Sequence, residues 1–225
     1  MAGEQEARLE AIVEHAPGTR SLFLRPTVPL PFRPGQFLSC QLPIAGDTCI
    51  RPYSLASDPE EPGRLELLLD RVPGGPGSDY LFGLAPGATL RFTGPWGTFV
   101  LDRAPAAPTV FIADGTGIAP IRPMLHRALA TSTGHPLHLV YGAPDRERLV
   151  YRPELDRLAH THAAFTWEHV PGAGLEGEVR RRYLDADADR TRRFFVCGVG
   201  PIVFALRDLL RGGGYQRRAV QYEKW

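Results

Sequence analysis

Arg51-Pro52-Tyr53-Ser54 sets a guanidinium, an aromatic ring and a hydroxyl within four residues, shortly after Gly35-Gln36-Phe37. On an extended segment successive side chains alternate between faces, so Arg51 and Tyr53 point one way and Ser54 the other. Such a set suits a planar ring with a phosphate tail. Arg51 would grip the phosphates in a bidentate manner, Tyr53 would lie against the ring, and Ser54 could reach a polar atom on its edge. By itself the tetrapeptide fits any phosphate-bearing ring ligand.

Three glycine-rich turns add to it. Gly115-Thr116-Gly117-Ile118-Ala119-Pro120 follows an apolar strand and opens a helix, where free backbone N–H groups and the helix dipole attract phosphate. Pro120 stands where the dinucleotide fingerprint has its third glycine, so a plain strand–helix turn is the competing reading. Cys197-Gly198-Val199-Gly200-Pro201 repeats the arrangement at a later junction. There Cys197 is either a buried small apolar residue or a wall against a nicotinamide ring. Gly74-Gly75-Pro76-Gly77-Ser78 offers the N–H groups of Gly77 and Ser78 and the Ser78 hydroxyl to a second phosphate, or is simply a hairpin loop. No G-x-S-x-G elbow surrounds Ser78, which argues against a hydrolase nucleophile. The chain ends Tyr222-Glu223-Lys224-Trp225. Chain ends usually fray, but Trp225 follows a strand directly and could cover the face of a bound ring.

These groups need a scaffold. The 225 residues suffice for one large or two ordinary domains. Residues 7–101 read as short strands at 8–14, 20–25, 36–42, 50–56, 65–72, 88–93 and 97–101, with a short helix near 78–84. Turn signals such as Pro17-Gly18, Pro34-Gly35 and Pro86-Gly87 separate them, the pattern of a small antiparallel barrel. Residues 102–108 read as a linker around Ala-Pro-Ala-Ala-Pro. Beyond it strands (109–113, 137–141, 165–169, 194–197, 219–222) alternate with helices (121–131, 150–160, 201–211), the pattern of a parallel sheet covered on both faces. Ligands of such sheets bind at the carboxyl ends of the strands.

Composition removes other classes. A formal net charge of +1 gives no basis for binding nucleic acid or a membrane surface. No apolar run approaches the roughly 18 residues of a membrane span. The polar, acidic start of the chain is unlike a secretory signal, and the expected compartment is the cytoplasm. Cys40, Cys49 and Cys197 lack metal spacing and cannot hold a 2Fe–2S cluster, which needs four patterned ligands. His160-Thr161-His162 reads as an exposed helix end, and no metal site is expected.

Taken in order along the chain, Arg33–Phe37, Arg51–Ser54, Arg71–Ser78, Thr93–Gly97, Gly115–Pro120, Tyr141–Ala143, Cys197-Gly198 and Tyr222–Trp225 resemble the ferredoxin–NADP⁺ reductase superfamily. The chain is most similar to the FAD/NAD(P)H module of bacterial oxygenase reductases, without their iron–sulfur domain. The resemblance implies a six-stranded FAD-binding barrel over residues 1–104 and an NAD(P)-binding α/β domain with a five-stranded parallel sheet over residues 105–225. It implies that Arg51 binds the FAD pyrophosphate, Tyr53 stacks on the isoalloxazine and Ser54 hydrogen-bonds near flavin N5. Pro52, Leu69, Gly75, Gly77 and Ser78 join them as FAD contacts. Gly115, Thr116, Gly117, Pro120 and Gly198 are implied for the nicotinamide dinucleotide. Cys197, Glu223 and Trp225 are implied at the hydride-transfer site, with Trp225 shielding the flavin.

The chain departs from the family pattern at Asp114, whose carboxylate is unfavourable beside a pyrophosphate unless it caps the helix or turns away. The loop Pro144-Asp145-Arg146-Glu147-Arg148 supplies both an acid suited to the ribose of NAD and arginines suited to the 2′-phosphate of NADP. Glu147 tips the expectation towards NADH. The expected activity is an FAD-dependent NAD(P)H oxidoreductase passing electrons to a ferredoxin, a flavodoxin or an oxygenase iron–sulfur component. A free-standing flavin or quinone reductase and a non-catalytic electron-transfer or binding subunit are the alternatives.

Overall fold

A computed structural model describes residues 3–101, 103–131 and 134–224. The chain forms two compact units, Met1–Asp102 with Arg122–Met124, and Arg103–Ile121 with Leu125–Trp225. Trp225, and Asp102 of the linker, lie outside the described residues.

The first unit contains β1 (Gln5–Ala16), β2 (Thr19–Pro26), β3 (Phe37–Ile44), β4 (Asp47–Ser54), β5 (Leu65–Asp70), α1 (Pro76–Phe82) and β6 (Thr89–Trp96). The strands form one antiparallel sheet in the order β4-β3-β6-β1-β2-β5. Alternation selects the inner face: in β3 Leu38, Cys40 and Leu42 are fully buried while Ser39 and Gln41 are not. With Leu9, Leu22, Leu24, Leu65, Leu67 and Phe92 they make the core, each large side chain contributing roughly 1.5–3 kcal/mol by leaving water. A lone antiparallel bridge, Leu55 to Leu67, joins the chain just past β4 to β5 at the far edge. The sheet therefore curls into a barrel that a full ladder does not close.

The second unit contains β7 (Thr109–Asp114), α2 (Ile118–Ala130), β8 (Leu137–Ala143), α3 (Arg152–Thr161), β9 (Phe165–Pro171), α4 (Leu175–Arg180), β10 (Arg193–Gly198), α5 (Gly200–Gly212) and β11 (Val220–Lys224). All five strands are parallel, in the order β11-β10-β7-β8-β9. Residues 109–113 of β7 are wholly buried, as a central parallel strand requires. The chain runs outward from β7 to β8 and β9 on one side and to β10 and β11 on the other. The crevice beyond the ends of β7 and β10 is thus the topological switch point, where ligands of such sheets bind.

Two expectations need correction. Residues 97–101 are not a strand. The segment turns at Gly97 (φ +109°) and packs on the 34–35 turn, with Leu101 N donating to Pro34 O at 3.2 Å. The sequence reading also lacks α4, which continues as a π-helical turn over Arg181–Asp185. Gly172, Gly174 and Gly177 punctuate that stretch and mask its helical period.

Candidate functional site

In the first unit β3 and β4 pair without a break, Phe37 with Ser54, Leu38 with Tyr53 and Cys40 with Arg51. Arg51 and Tyr53 therefore share the face of Leu38 and Cys40, and Ser54 shares the face of Phe37. Arg51 is exposed, and its Nη1 donates to Ile50 O at 2.9 Å. Tyr53 is half-buried, and burial pushes its phenol up to about 12, so the ring stays neutral at physiological pH.

The Gly74–Ser78 turn lies against Arg51. A Cβ at Gly77 would sit 3.1 Å from Arg51 Cγ and 3.4 Å from Leu42 Cδ1, and a Cβ at Gly75 would meet Val72 Cβ at 2.9 Å. Pro76 occupies the first turn of α1, where its missing N–H costs nothing. The Ser78 hydroxyl is spent inside the turn: it accepts from Val72 N at 3.0 Å and donates to Gly75 O at 2.9 Å. What the turn can present to an anion is therefore backbone N–H, since the first N–H groups of a helix have no internal partner. Leu69 is 3% exposed and belongs to the core, so β5 can meet a ligand only along its backbone edge. The side chain of Pro52 is exposed.

In the second unit the Gly115–Gly117 turn, a single 3₁₀ turn, leads from β7 into α2. Gly115 has φ +55°. A Cβ at Gly117 would sit 2.1 Å from Cys197 O, and one at Gly198 would sit 2.6 Å from Asp114 Cβ. Both glycines thus let the ends of β7 and β10 close on each other. Asp114 makes no side-chain cap to the turn. Its Oδ1 lies over β8, 3.4 Å from where a Gly142 Cβ would be. Thr116 and Pro120 are buried.

Cys197 is 1% exposed and opposite Glu223 in the β10–β11 ladder. Burial first, and then the Glu223 charge, raise its thiol far above the ordinary value. Cys197 is accordingly a buried, neutral thiol, not a thiolate nucleophile. In the loop after β8, Asp145 accepts from Arg148 N–H at 3.0 Å, and Asp145, Arg146, Glu147 and Arg148 are all exposed. No group of three or more His, Cys, Asp or Glu among the described residues could hold a metal ion.

Sequence reasoning missed a buried polar chain. Glu66, 3% exposed, accepts from Ser21 Oγ at 2.6 Å and from Arg122 Nη1 at 2.8 Å, and Ser21 bonds His15 Nε2 at 2.8 Å. Its signal was a single acid within Leu65-Glu66-Leu67-Leu68-Leu69.

Residues 14–101 match the model of an oxidoreductase FAD-binding domain, and residues 111–207 match that of an oxidoreductase NAD-binding domain. The chain is 35% identical to ferredoxin–NADP reductase B of Sorangium cellulosum, over 98% of this chain and 97% of that one. It is 32% identical to the ferredoxin–NAD(P)⁺ reductase component of the naphthalene 1,2-dioxygenase/salicylate 5-hydroxylase systems of a Ralstonia species. That match takes in 89% of this chain and only 62% of the longer relative. Among solved structures, a cytochrome P450 reductase from Amycolatopsis superposes with a TM-score of 0.89 at 29% identity, over 99% of this chain and 69% of that one.

Proposed function

The chain belongs to the ferredoxin–NADP⁺ reductase superfamily of FAD- and NAD(P)-binding oxidoreductases, and on that premise we propose that it is an NAD(P)H-dependent flavoprotein reductase serving a ferredoxin, a flavodoxin or an oxygenase iron–sulfur component. In this reading residues 1–104 bind FAD and residues 105–225 bind the nicotinamide dinucleotide. Bound FAD would supply the conversion of a two-electron hydride donor into single electrons for the acceptor. The protein's part is binding, orientation and electrostatics.

The observation that carries the proposal is the packing of Arg51 on the side-chain-free backbone of Gly77. It sets a guanidinium beside helix-start N–H groups, a donor set that fits a pyrophosphate. Tyr53 would bear on the isoalloxazine as a neutral ring, and Ser54, on the opposite face, would hydrogen-bond near N5. Pro52 and the backbone at Leu69, Gly75, Gly77 and Ser78 complete the FAD set; Gly75 N donates to Val72 O at 2.8 Å, so the N–H groups offered are those of Gly77 and Ser78, on the turn that the Ser78 hydroxyl holds.

For the dinucleotide, Gly115, Thr116, Gly117, Pro120 and Gly198 frame the switch-point crevice of the second unit. Asp114, its carboxylate directed over β8, need not oppose a phosphate there. Cys197 would give the nicotinamide an uncharged wall and Glu223 a hydrogen-bonding edge, while Trp225 would shield the flavin and yield to the nicotinamide. Asp145 and Glu147 are both exposed; with one Asp145 oxygen accepting from Arg148 N, Glu147 is the acid taken to favour NADH. The cytoplasm is the compartment proposed, in keeping with three free cysteines.

The purified protein is expected to be yellow and to release FAD on heating. Colourless protein that takes up no added FAD would overturn the reading.

A further inference from the structure

The two residues after Ser54 are held more firmly than a loop needs. Leu55 N donates to Gln36 O and Ala56 N to Glu66 O, both at 2.9 Å. Ala56 O accepts from Arg122 Nη1 at 2.8 Å, and the same nitrogen reaches Glu66 Oε2 at 2.8 Å. Glu66 therefore grips Ala56 twice, directly through its backbone and indirectly through Arg122. Its other oxygen is fixed by Ser21, which is wholly buried and in turn bonded to His15. Since Ser21 Oγ donates to Glu66, it accepts from His15, whose Nε2 carries the proton. Burial lowers the His15 pKa and favours that neutral form. The Ser57 hydroxyl, also buried, has no hydrogen-bond partner among the described residues, so it does not brace the turn.

An ion pair on a buried carboxylate, with the Arg122 side chain 23% exposed and that of Glu66 4%, is an expensive brace, because desolvation commonly cancels much of its attraction and an apolar pair of similar size serves stability as well. What an apolar pair cannot do is hold the Ala56 carbonyl in a fixed direction. We propose that Arg122, with Glu66, is a positioning residue for the flavin site, fixing the direction in which the chain leaves Ser54. The inference rests on the flavin reading of Ser54.

The test separates bracing from positioning. Apoprotein and FAD-loaded protein are prepared from wild type, Glu66→Met/Arg122→Met and Arg122→Lys, and three readouts are taken: apoprotein melting temperature, FAD affinity, and visible circular dichroism of the bound flavin. Positioning predicts that the apolar pair melts near wild type, while its FAD Kd rises about tenfold and its flavin dichroism changes. Arg122→Lys, which compensates Glu66 as a point charge without the guanidinium fork, should keep the melting temperature and recover only part of the affinity. Wild-type Kd and dichroism in the apolar pair would overturn the proposal. If that pair does not fold, the same two wild-type values in Arg122→Lys overturn it. Wild-type protein that binds no FAD would instead bring down the functional reading beneath it.

Discussion

Gly77 and Arg51 are in contact through an absence: the place of a Gly77 Cβ lies 3.1 Å from Arg51 Cγ and 3.7 Å from Arg51 Nε. The turn and the strand come from separate stretches of sequence, and the glycine lets the arginine lie along the start of α1. Gly77→Val should displace the guanidinium and weaken FAD binding roughly tenfold, with Arg51→Ala at least as severe. Titration of apoprotein with FAD measures both. Unchanged affinity in Arg51→Ala would remove the phosphate role.

Gly117 is a stricter case. A Cβ there would come within 2.1 Å of Cys197 O and 2.6 Å of Cys197 C, and backbone atoms cannot step aside as a side-chain end can. Gly117→Ala should cost about 3 kcal/mol or prevent folding. Urea denaturation checks this, and a midpoint equal to wild type would show that β7 and β10 do not close as described.

The three cysteines should differ in reactivity. Cys40 is buried, its thiol pushed up to about 12 by burial, and the buried Cys197 thiol is likewise raised well above its ordinary value. Cys49 is partly exposed. Iodoacetamide followed by mass spectrometry should label Cys49 in the native protein and reach Cys40 and Cys197 only after unfolding. Prompt native labelling of Cys197 would contradict its assignment as a neutral wall.

Burial also gives Tyr53 a signature at high pH. Its phenol rises from 10.0 to about 12, with burial the largest cause, the Cys40 and Cys49 thiols adding to it and Arg51 opposing. The folded chain thus holds the proton more tightly than the unfolded one. That contribution to stability is complete below pH 10 and is lost as pH climbs towards 12. Tyr53→Phe has nothing to ionise, so its melting temperature should fall less than that of wild type across this window. Parallel falls would mean that Tyr53 is no less solvated folded than unfolded.

The architecture was legible because turn residues and apolar period agree. Pro17-Gly18 separates β1 from β2, and the unbroken apolar run at 109–113 marks a strand buried on both faces. The misread segment, 97–101, has strand-like residues. Its Phe99 carbonyl lies against Gly35, where a Cβ would come within 2.1 Å, and such a long-range contact leaves no local mark. At the candidate site, residue types and spacing pointed to Arg51, Tyr53 and the glycine turns. They could not show that the Ser78 hydroxyl is consumed within its own turn. Nor could they show that Arg122, 66 residues beyond Ala56 in the opening turns of α2, braces the chain after Ser54.

Anaerobic mixing of FAD-loaded protein with one equivalent of NADH, and separately of NADPH, tests the central claim most directly. The visible flavin absorbance should bleach within the mixing experiment, faster with NADH than with NADPH, and return when an oxidised ferredoxin-type acceptor is added. Flavin that stays oxidised with both nucleotides would contradict it.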